Sequence, residues 1–548
     1  MSFYRRQPDI IIRNGKIADG TGNPSYYADI AIIGDRIDYI GDLRGVDAPL
    51  DIDAHHKYVT PGFIDSHSHT DETIWGNPEA KSSVYQGVTT EIVGNCGYSM
   101  STHMDGVKWD EKGDGIDCVY NLPGPVYPKG SLAASLDKAE RMGASVNTAW
   151  LCGHNALRTL AGLSTRDYTE EQFKVMADFL REAMEAGFIG FSTGLEFVPS
   201  VVCRPEEVER LAAIAAEYDA NYSTHMRDEG TYILEAINEF LNVIRKTGLR
   251  GTVSHLNVKY DNGVPNEYLF KGMQMLKDAR DIEHLNVMCD MLPTCFATGG
   301  ALAMLPPWLY ADGWDKAREI MATEKGRARI RADFRRYWRF LDADQWDRLL
   351  YIQPDYIPEY STRPFAELVA ESGKSPFDFF IDVMQAAPTI EAANAVYMQG
   401  TVFREQTMID SVVTDPIYMW MTDNFTTVED GPLAAITANV QNYMSMTYFF
   451  TRYVRDLGVI SIEKALTKVS SVPARHFRLE GRGVLAEGNF ADINVFDLNA
   501  LRINSTFSEV SRYSSGMDYV IVNGRPVIAQ GEHTGERAGR VLRHMPKK

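Results

Sequence analysis

The hydrophobic period changes along the chain. Over residues 170–186, 205–218 and 231–247 apolar positions recur at helical spacing, whereas 188–192, 221–224 and 252–254 are short β-prone runs. Strand–helix alternation of this kind predicts a parallel sheet, and its length suits a (β/α)8 barrel. The two ends have another texture. Residues 9–13, 28–33 and 36–40 read as short strands, with Asn14-Gly15 as a hairpin turn and Gly34-Asp35 as a second reversal. Residues 490–496 alternate as a strand should, and 519–522 and 526–529 flank Asn523-Gly524. The expected architecture is α/β: a TIM-like barrel over 61–480, with a small β-sandwich domain built from both termini, 1–60 and 481–548.

Residues 297–365 interrupt the alternation and carry Trp308, Trp314, Trp338 and Trp346, half of the eight tryptophans. Residues 325–340 read as an Arg-rich helix. The segment is expected to be an insertion over one barrel loop, serving either as a cap or oligomer contact or as a lid that shapes a pocket.

Composition narrows the partners. The chain has 548 residues and a net charge of −19, from 55 basic and 74 acidic residues. That balance disfavours nucleic acid and anionic membrane and leaves a small-molecule substrate; homo-oligomers stay open. The first residues lack a signal-peptide apolar core, and no uncharged apolar run reaches membrane-spanning length. Cys96, Cys118, Cys152, Cys203, Cys289 and Cys295 form no Cys-x-x-Cys pair. Reduced thiols in a cytoplasmic protein are the expectation.

The candidate chemistry starts at residues 61–69, Pro-Gly-Phe-Ile-Asp-Ser-His-Ser-His. On an extended strand His67 and His69 point to the same side and can grip one metal ion. Four other residues end β-like runs: Cys96, His225, His255 and Asp423. Each has an ordinary alternative. A buried cysteine is often inert core, a strand-end histidine a hydrogen-bonded residue, an aspartate a helix cap. Together with His67 and His69, in strand order, they point to a metal hydrolase site at the C-terminal face of a barrel.

The whole chain resembles the D-aminoacylase (N-acyl-D-amino-acid deacylase) branch of the amidohydrolase superfamily. The resemblance rests on residues 61–69, on Gly94-Asn95-Cys96-Gly97, on residues 190–195, on Ser254-His255, and on Arg482-Gly483-Val484-Leu485 with Ala491-Asp492. It implies that Cys96, His225 and His255 hold one tight Zn2+. It further implies that His67, His69, Cys96 and Asp423 surround a second, weaker metal position, with Asp423 as the catalytic proton carrier. His154, Ser192, Asn257 and Lys259 are the candidate substrate contacts, although for His154 the structural reading is slightly favoured.

Several positions depart from the branch. Asn257 stands where a lysine is usual, with Lys259 two residues on. Residues 290–294, Asp-Met-Leu-Pro-Thr, lack the tyrosines of the family's Asp-x-Tyr-Pro-Tyr element. Residues 438–444 lack its His-Pro-Arg, and Phe197 stands where a tyrosine is expected. These changes leave the hydrolytic set whole and remove carboxylate-binding groups, which predicts an N-acyl amide hydrolase with altered substrate, neutral or bulky and aromatic. The alternatives are a true N-acyl-D-amino-acid deacylase, with Lys259, Arg335 or Arg336 supplying the charge, or a deaminase or lactonase on the same scaffold.

Overall fold

A computed structural model describes residues 4–99, 132–163, 165–197, 199–258, 266–310, 313–334, 341, 344–360, 363–394, 396–436 and 439–544. Lys259, Trp338, Arg335, Arg336 and Cys118 lie outside them.

Eight parallel strands form the barrel: β1 (Phe63–Asp65), β2 (Val88–Val93), β3 (Asn147–Gly153), β4 (Gly190–Gly194), β5 (Asn221–His225), β6 (Arg250–Val253), β7 (Val287–Met291) and β8 (Tyr418–Trp420), hydrogen-bonded in that order. β1 and β8 close the ring just past their ends, where Asp423 N donates to His67 O (3.0 Å) and His69 N to Asn424 O (2.8 Å). Ile64, Ile92, Ala149, Leu151, Ile189 and Met419 fill the lower barrel against Ala474, Phe477 and Leu479. The barrel interior at the N-terminal end is thereby filled with apolar side chains.

The helices between strands follow local rules. Glu170–Ala186 starts in a capping box between Thr169 and Gln172 and ends at Gly187 with φ 101°. Pro205–Ala216 starts on its proline, and Ile233–Thr247 turns seven buried residues inward.

The termini pair in one nine-stranded sheet. Tyr58–Pro61 runs antiparallel to Ile493–Phe496, joining the N-terminal strands to the C-terminal ones. Asn523-Gly524 makes the expected turn, with φ 49° and 77°. Asn14-Gly15 does not. Ile10–Ile17 is one strand, and the register shifts between Ile12 and Gly15, so the pair is a bulge. Asn14 N donates to Asp29 Oδ1 (2.9 Å), and a Cβ on Gly15 would meet Val59 Cγ2 at 2.6 Å. Close packing, not a reversal, selects that glycine.

Between β7 and β8 the chain builds a small three-stranded sheet from Phe296–Gly300, Leu349–Gln353 and Tyr397–Thr401, the last of them in the centre. That central strand lies beyond the 297–365 segment. Trp346 is buried, stacks on Phe365 (6.0 Å, 18°) and packs near Phe334, Phe377 and Phe380. Buried Trp314 donates Nε1–H to Ala387 O. These tryptophans form the unit's own core. The described part of the Arg-rich helix is Glu324–Ala332.

Candidate metal centre

The strand ends deliver their side chains to one point. His67 and His69 follow β1, Cys96 follows β2, His225 ends β5, His255 follows β6 and Asp423 follows β8. The His pair lies past the last β1 residue, Asp65, but its backbone stays clamped: Ser68 N donates to Ile92 O, and His69 N to Asn424 O. Cys96 Sγ sits 3.3 Å from His67 Nε2, 3.9 Å from His225 Nδ1 and 3.7 Å from His255 Nε2. Asp423 Oδ1 lies 3.2 Å from both His67 Nε2 and His69 Nε2. Two groups of potential ligand atoms result, His67–His69–Cys96–Asp423 and Cys96–His225–His255, each spanning no more than 4.8 Å and sharing the thiol.

The backbone is strained here. Cys96, His255 and Asp423 have φ of 51°, 37° and 54°, a region that costs a non-glycine residue about 1–3 kcal/mol. The Cys96 loop is over-determined enough to hold it. Ser192 Oγ donates to Gly94 O (2.5 Å) and accepts from Gly97 N (3.0 Å). Asn95 Nδ2 donates to Ser68 O and Ile92 O. A Cβ on Gly94 would stand 2.2 Å from Leu151 O, so β3 packs directly on the loop backbone.

Carboxylates stand behind the histidines. Glu229 Oε1 is 2.6 Å from His255 Nδ1, Glu196 Oε2 is 3.0 Å from His225 Nε2, and Asp290 Oδ2 is 3.7 Å from His67 Nδ1. Asp290 Oδ1 also accepts from His255 N (2.7 Å). Each carboxylate favours the proton on the outer ring nitrogen and turns the inner lone pair toward the centre. Sequence reasoning missed Glu196 and Glu229. Glu196 lies two residues past the end of β4 and Glu229 four residues past His225, both in loops, where spacing carries no period.

Charges are strongly coupled. Burial opposes the Cys96 thiolate, but His67, His225 and His255 hold its pKa well below the usual thiol range. Burial likewise opposes the Asp423 carboxylate, and His67 and His69 hold its pKa well below the ordinary value. Burial would lower His69; Asp423 and Cys96 instead raise it to about 10.

This donor set fits a metal. His225 Nδ1 and His255 Nε2 face each other at 3.1 Å, and with protons on their outer nitrogens two lone pairs would repel there. A cation between them and the thiolate removes that repulsion, and thiolate with imidazole suits a borderline-soft ion.

The candidate substrate contacts are placed differently. His154 is fully buried, with Nε2 2.8 Å from Glu207 Oε1 and Nδ1 2.9 Å from Ser200 Oγ. Both nitrogens are engaged, so it has no donor left for a substrate oxyanion and its role is structural. Ser192 braces the Cys96 loop. Asn257 is buried, with Oδ1 accepting from Val258 N and Nδ2 3.3 Å from Met408 Sδ. Lys259 lies outside the described residues. The Phe197 ring lies 4.4 Å from that of His225, and Phe425 5.6 Å from His69.

Known proteins resemble the chain over almost its whole length. Residues 52–528 match the model of the amidohydrolase family. The chain is 29% identical to a D-aminoacylase of Alcaligenes xylosoxydans xylosoxydans, over 99% of each. It is 29% identical to an N-acyl-D-glutamate deacylase of the same organism, over 98% of this chain and 96% of that one. A crystal structure of D-aminoacylase superposes with a TM-score of 0.78 at 25% identity, covering 98% of this chain and 99% of the other. The N-acyl-D-glutamate deacylase of Bordetella bronchiseptica, solved with zinc and a phosphonate inhibitor, gives 0.77 at 26% identity, over 98% and 100%. No helix among the described residues is long and apolar enough to cross a membrane. The chain belongs to the amidohydrolase family and is a metal-dependent amidohydrolase of the D-aminoacylase branch.

Proposed function

We propose that the protein is a zinc-dependent hydrolase of N-acyl amides whose amine portion carries no carboxylate needing an arginine clamp. Cys96, His225 and His255 would hold the tighter ion, and His67, His69, Cys96 and Asp423 would border a weaker position. Zinc, when bound, supplies Lewis acidity and makes water a usable nucleophile near neutral pH. Asp423 takes the proton of the attacking water on Oδ1 and returns it to the leaving nitrogen. Its Oδ1 lies 3.2 Å from both His67 Nε2 and His69 Nε2, at the border of the weaker position. Glu196, Glu229 and Asp290 hold the imidazoles in register through the cycle.

One observation carries the substrate reading. Where the resemblance leads one to expect an arginine, a neutral network stands beside Asp423. Asn439 Nδ2 reaches Asn424 Oδ1 (3.4 Å) and Thr298 Oγ1 (3.3 Å), while Gln441 Nε2 donates to Thr294 Oγ1 (2.8 Å) and Phe296 O (3.0 Å). Such a shell can bond an amide but lacks the charged fork that pairs with a carboxylate. Phe197 and Phe425 add apolar wall. Trp314 and Trp346 give no support for an aromatic substrate, since both are core.

A second reading, a true N-acyl-D-amino-acid deacylase, is favoured by full-length similarity to deacylases of D-amino acids. Lys259, Arg335 or Arg336 would then provide the cation. The test is metal content of the purified protein together with amine release from N-acyl-D-amino acids, their carboxamides and neutral anilides. Cleavage of carboxamides or anilides at rates equal to or above the acids supports the first reading. Strong preference for the D-acids overturns it and establishes the second. Protein that binds no metal and cleaves neither overturns both.

A further inference from the structure

At the barrel's opposite end, below the starts of β4, β5 and β6, lies a cavity of about 1100 Å³. Six arginines line it: Arg250, Arg475, Arg478, Arg482, Arg540 and Arg543. Such a concentration of cations is unexpected in a chain of net charge −19. Four of them are paired, Arg478 with Asp219, Arg482 with Asp492, Arg540 with Asp35, and Arg543 with Asp137. Among the described residues Arg250 and Arg475 have no ion-pair partner. Arg250 Nε and Arg478 Nε are buried without a hydrogen-bond partner. Glu140, Glu217 and Glu480 also line the cavity; Glu140 is engaged by Arg543.

The neighbouring His476 reports the field. Burial, then Arg250, Arg478 and Arg475, push its pKa down to about 3, and no carboxylate opposes them. Its ring is fixed by Thr252 Oγ1 at 2.8 Å. Arg478 Nη2 is held by Asn221 Oδ1 (3.1 Å), which orients one guanidinium before any ligand arrives. Buried N–H groups left without acceptors are costly, and like charges in one cavity add to that cost. Both penalties vanish if a small dianion occupies the space.

We propose that this cavity is a binding site for a phosphate dianion, free or as the head of a small phosphomonoester, held by Arg250, Arg475 and Arg478. Tetrahedral oxygens match guanidinium forks, and the unpartnered buried Nε–H groups of Arg250 and Arg478 supply donors for them. The site is separate from the metal centre. Arg250 begins β6 and His255 follows its end, about 17 Å away at strand rise. It also stands independently of the substrate reading.

The test is isothermal titration of the full-length metal-loaded protein with inorganic phosphate and, in parallel, with glycerol 3-phosphate. Metal content is checked before and after. Saturable one-site binding is expected, weakened at least tenfold in Arg475→Gln and in Arg250→Gln, with amidase activity unchanged in Arg475→Gln. Tighter binding of the ester identifies a phosphorylated metabolite as the ligand, and equal or tighter binding of inorganic phosphate identifies the free ion. Arg475 is exposed, so that variant keeps the test valid if Arg250→Gln fails to fold. No saturable heat with either ligand, or binding that survives Arg475→Gln unchanged, overturns the proposal.

Discussion

The metal centre and the unit inserted between β7 and β8 are both packed out of water, by opposite means. In the centre polar atoms converge: a thiol, four imidazoles and a carboxylate, neighbouring pairs 3.1–3.9 Å apart, on a backbone strained at Cys96, His255 and Asp423. In the insertion aromatic faces converge, with Trp346 among Phe334, Phe365, Phe377 and Phe380 and, among the described residues, no group of converging metal-ligand side chains. Electrostatic order that folding alone does not reward is a mark of chemistry. Apolar order is what stability requires. Substitutions in the two regions should therefore separate rate from stability.

Asp423→Asn is the sharpest break. It removes the proton acceptor and leaves Cys96, His225 and His255 in place. Turnover is expected to fall at least 10²–10⁴-fold with the tight metal retained. Elemental analysis beside steady-state kinetics checks it, and near-wild-type turnover would remove Asp423 from the mechanism. Cys96→Ala, by contrast, should lose metal together with activity, because both ligand groups share that thiol.

Trp346→Ala tests the other side. The side chain is buried among aromatics and its Nε1–H donates to Asp344 Oδ1 (3.0 Å). Truncation is expected to cost about 3–5 kcal/mol of stability. Denaturant unfolding measures that, and kcat per folded, metal-loaded chain should fall far less than in Asp423→Asn. A kcat loss on the Asp423→Asn scale in chains that remain folded would show that the insertion takes part in chemistry.

Glu229→Gln lies between these extremes. The carboxylate 2.6 Å from His255 Nδ1 sets that ring's tautomer without touching the centre itself. Replacing it should weaken metal affinity or activity by about 10–100-fold. Competition with a chelator reads the affinity directly. An unchanged metal affinity with unchanged rate would assign Glu229 to packing.

The same contrast explains what was legible in the sequence. The ligand residues sat at the ends of β-like runs, and barrel topology turns such ends toward one mouth, so His67, His69, Cys96, His225, His255 and Asp423 could be read from order alone. Glu196 and Glu229 could not, because they lie in loops, where spacing carries no period, among 74 acidic residues. His154 looked like its strand-end relatives, yet Glu207 and Ser200 take both its nitrogens. Asn14-Gly15 and Asn523-Gly524 are identical dipeptides with different outcomes. A turn signal is local, whereas the packing of Gly15 against Val59 comes from a distant strand. The insertion announced itself by tryptophans, but its central strand Tyr397–Thr401 has no unusual composition and lay past the marked segment.

Ser192→Ala probes the smallest effect, where structural and chemical order meet. Its hydroxyl bridges Gly94 O and Gly97 N across the loop that aims Cys96. Alanine keeps the β4 backbone and leaves two buried backbone groups without that partner. The expected loss is about 1 kcal/mol of stability, with kcat/KM reduced less than tenfold and metal content intact. If the loop is instead held mainly by Asn95 and the packing of Gly94 on Leu151, the loss will fall below detection in thermal unfolding. If Ser192 touches substrate, KM will rise while stability stays constant. Stability and KM measured on one variant thus decide whether this hydroxyl belongs with the order of the insertion or with that of the metal centre.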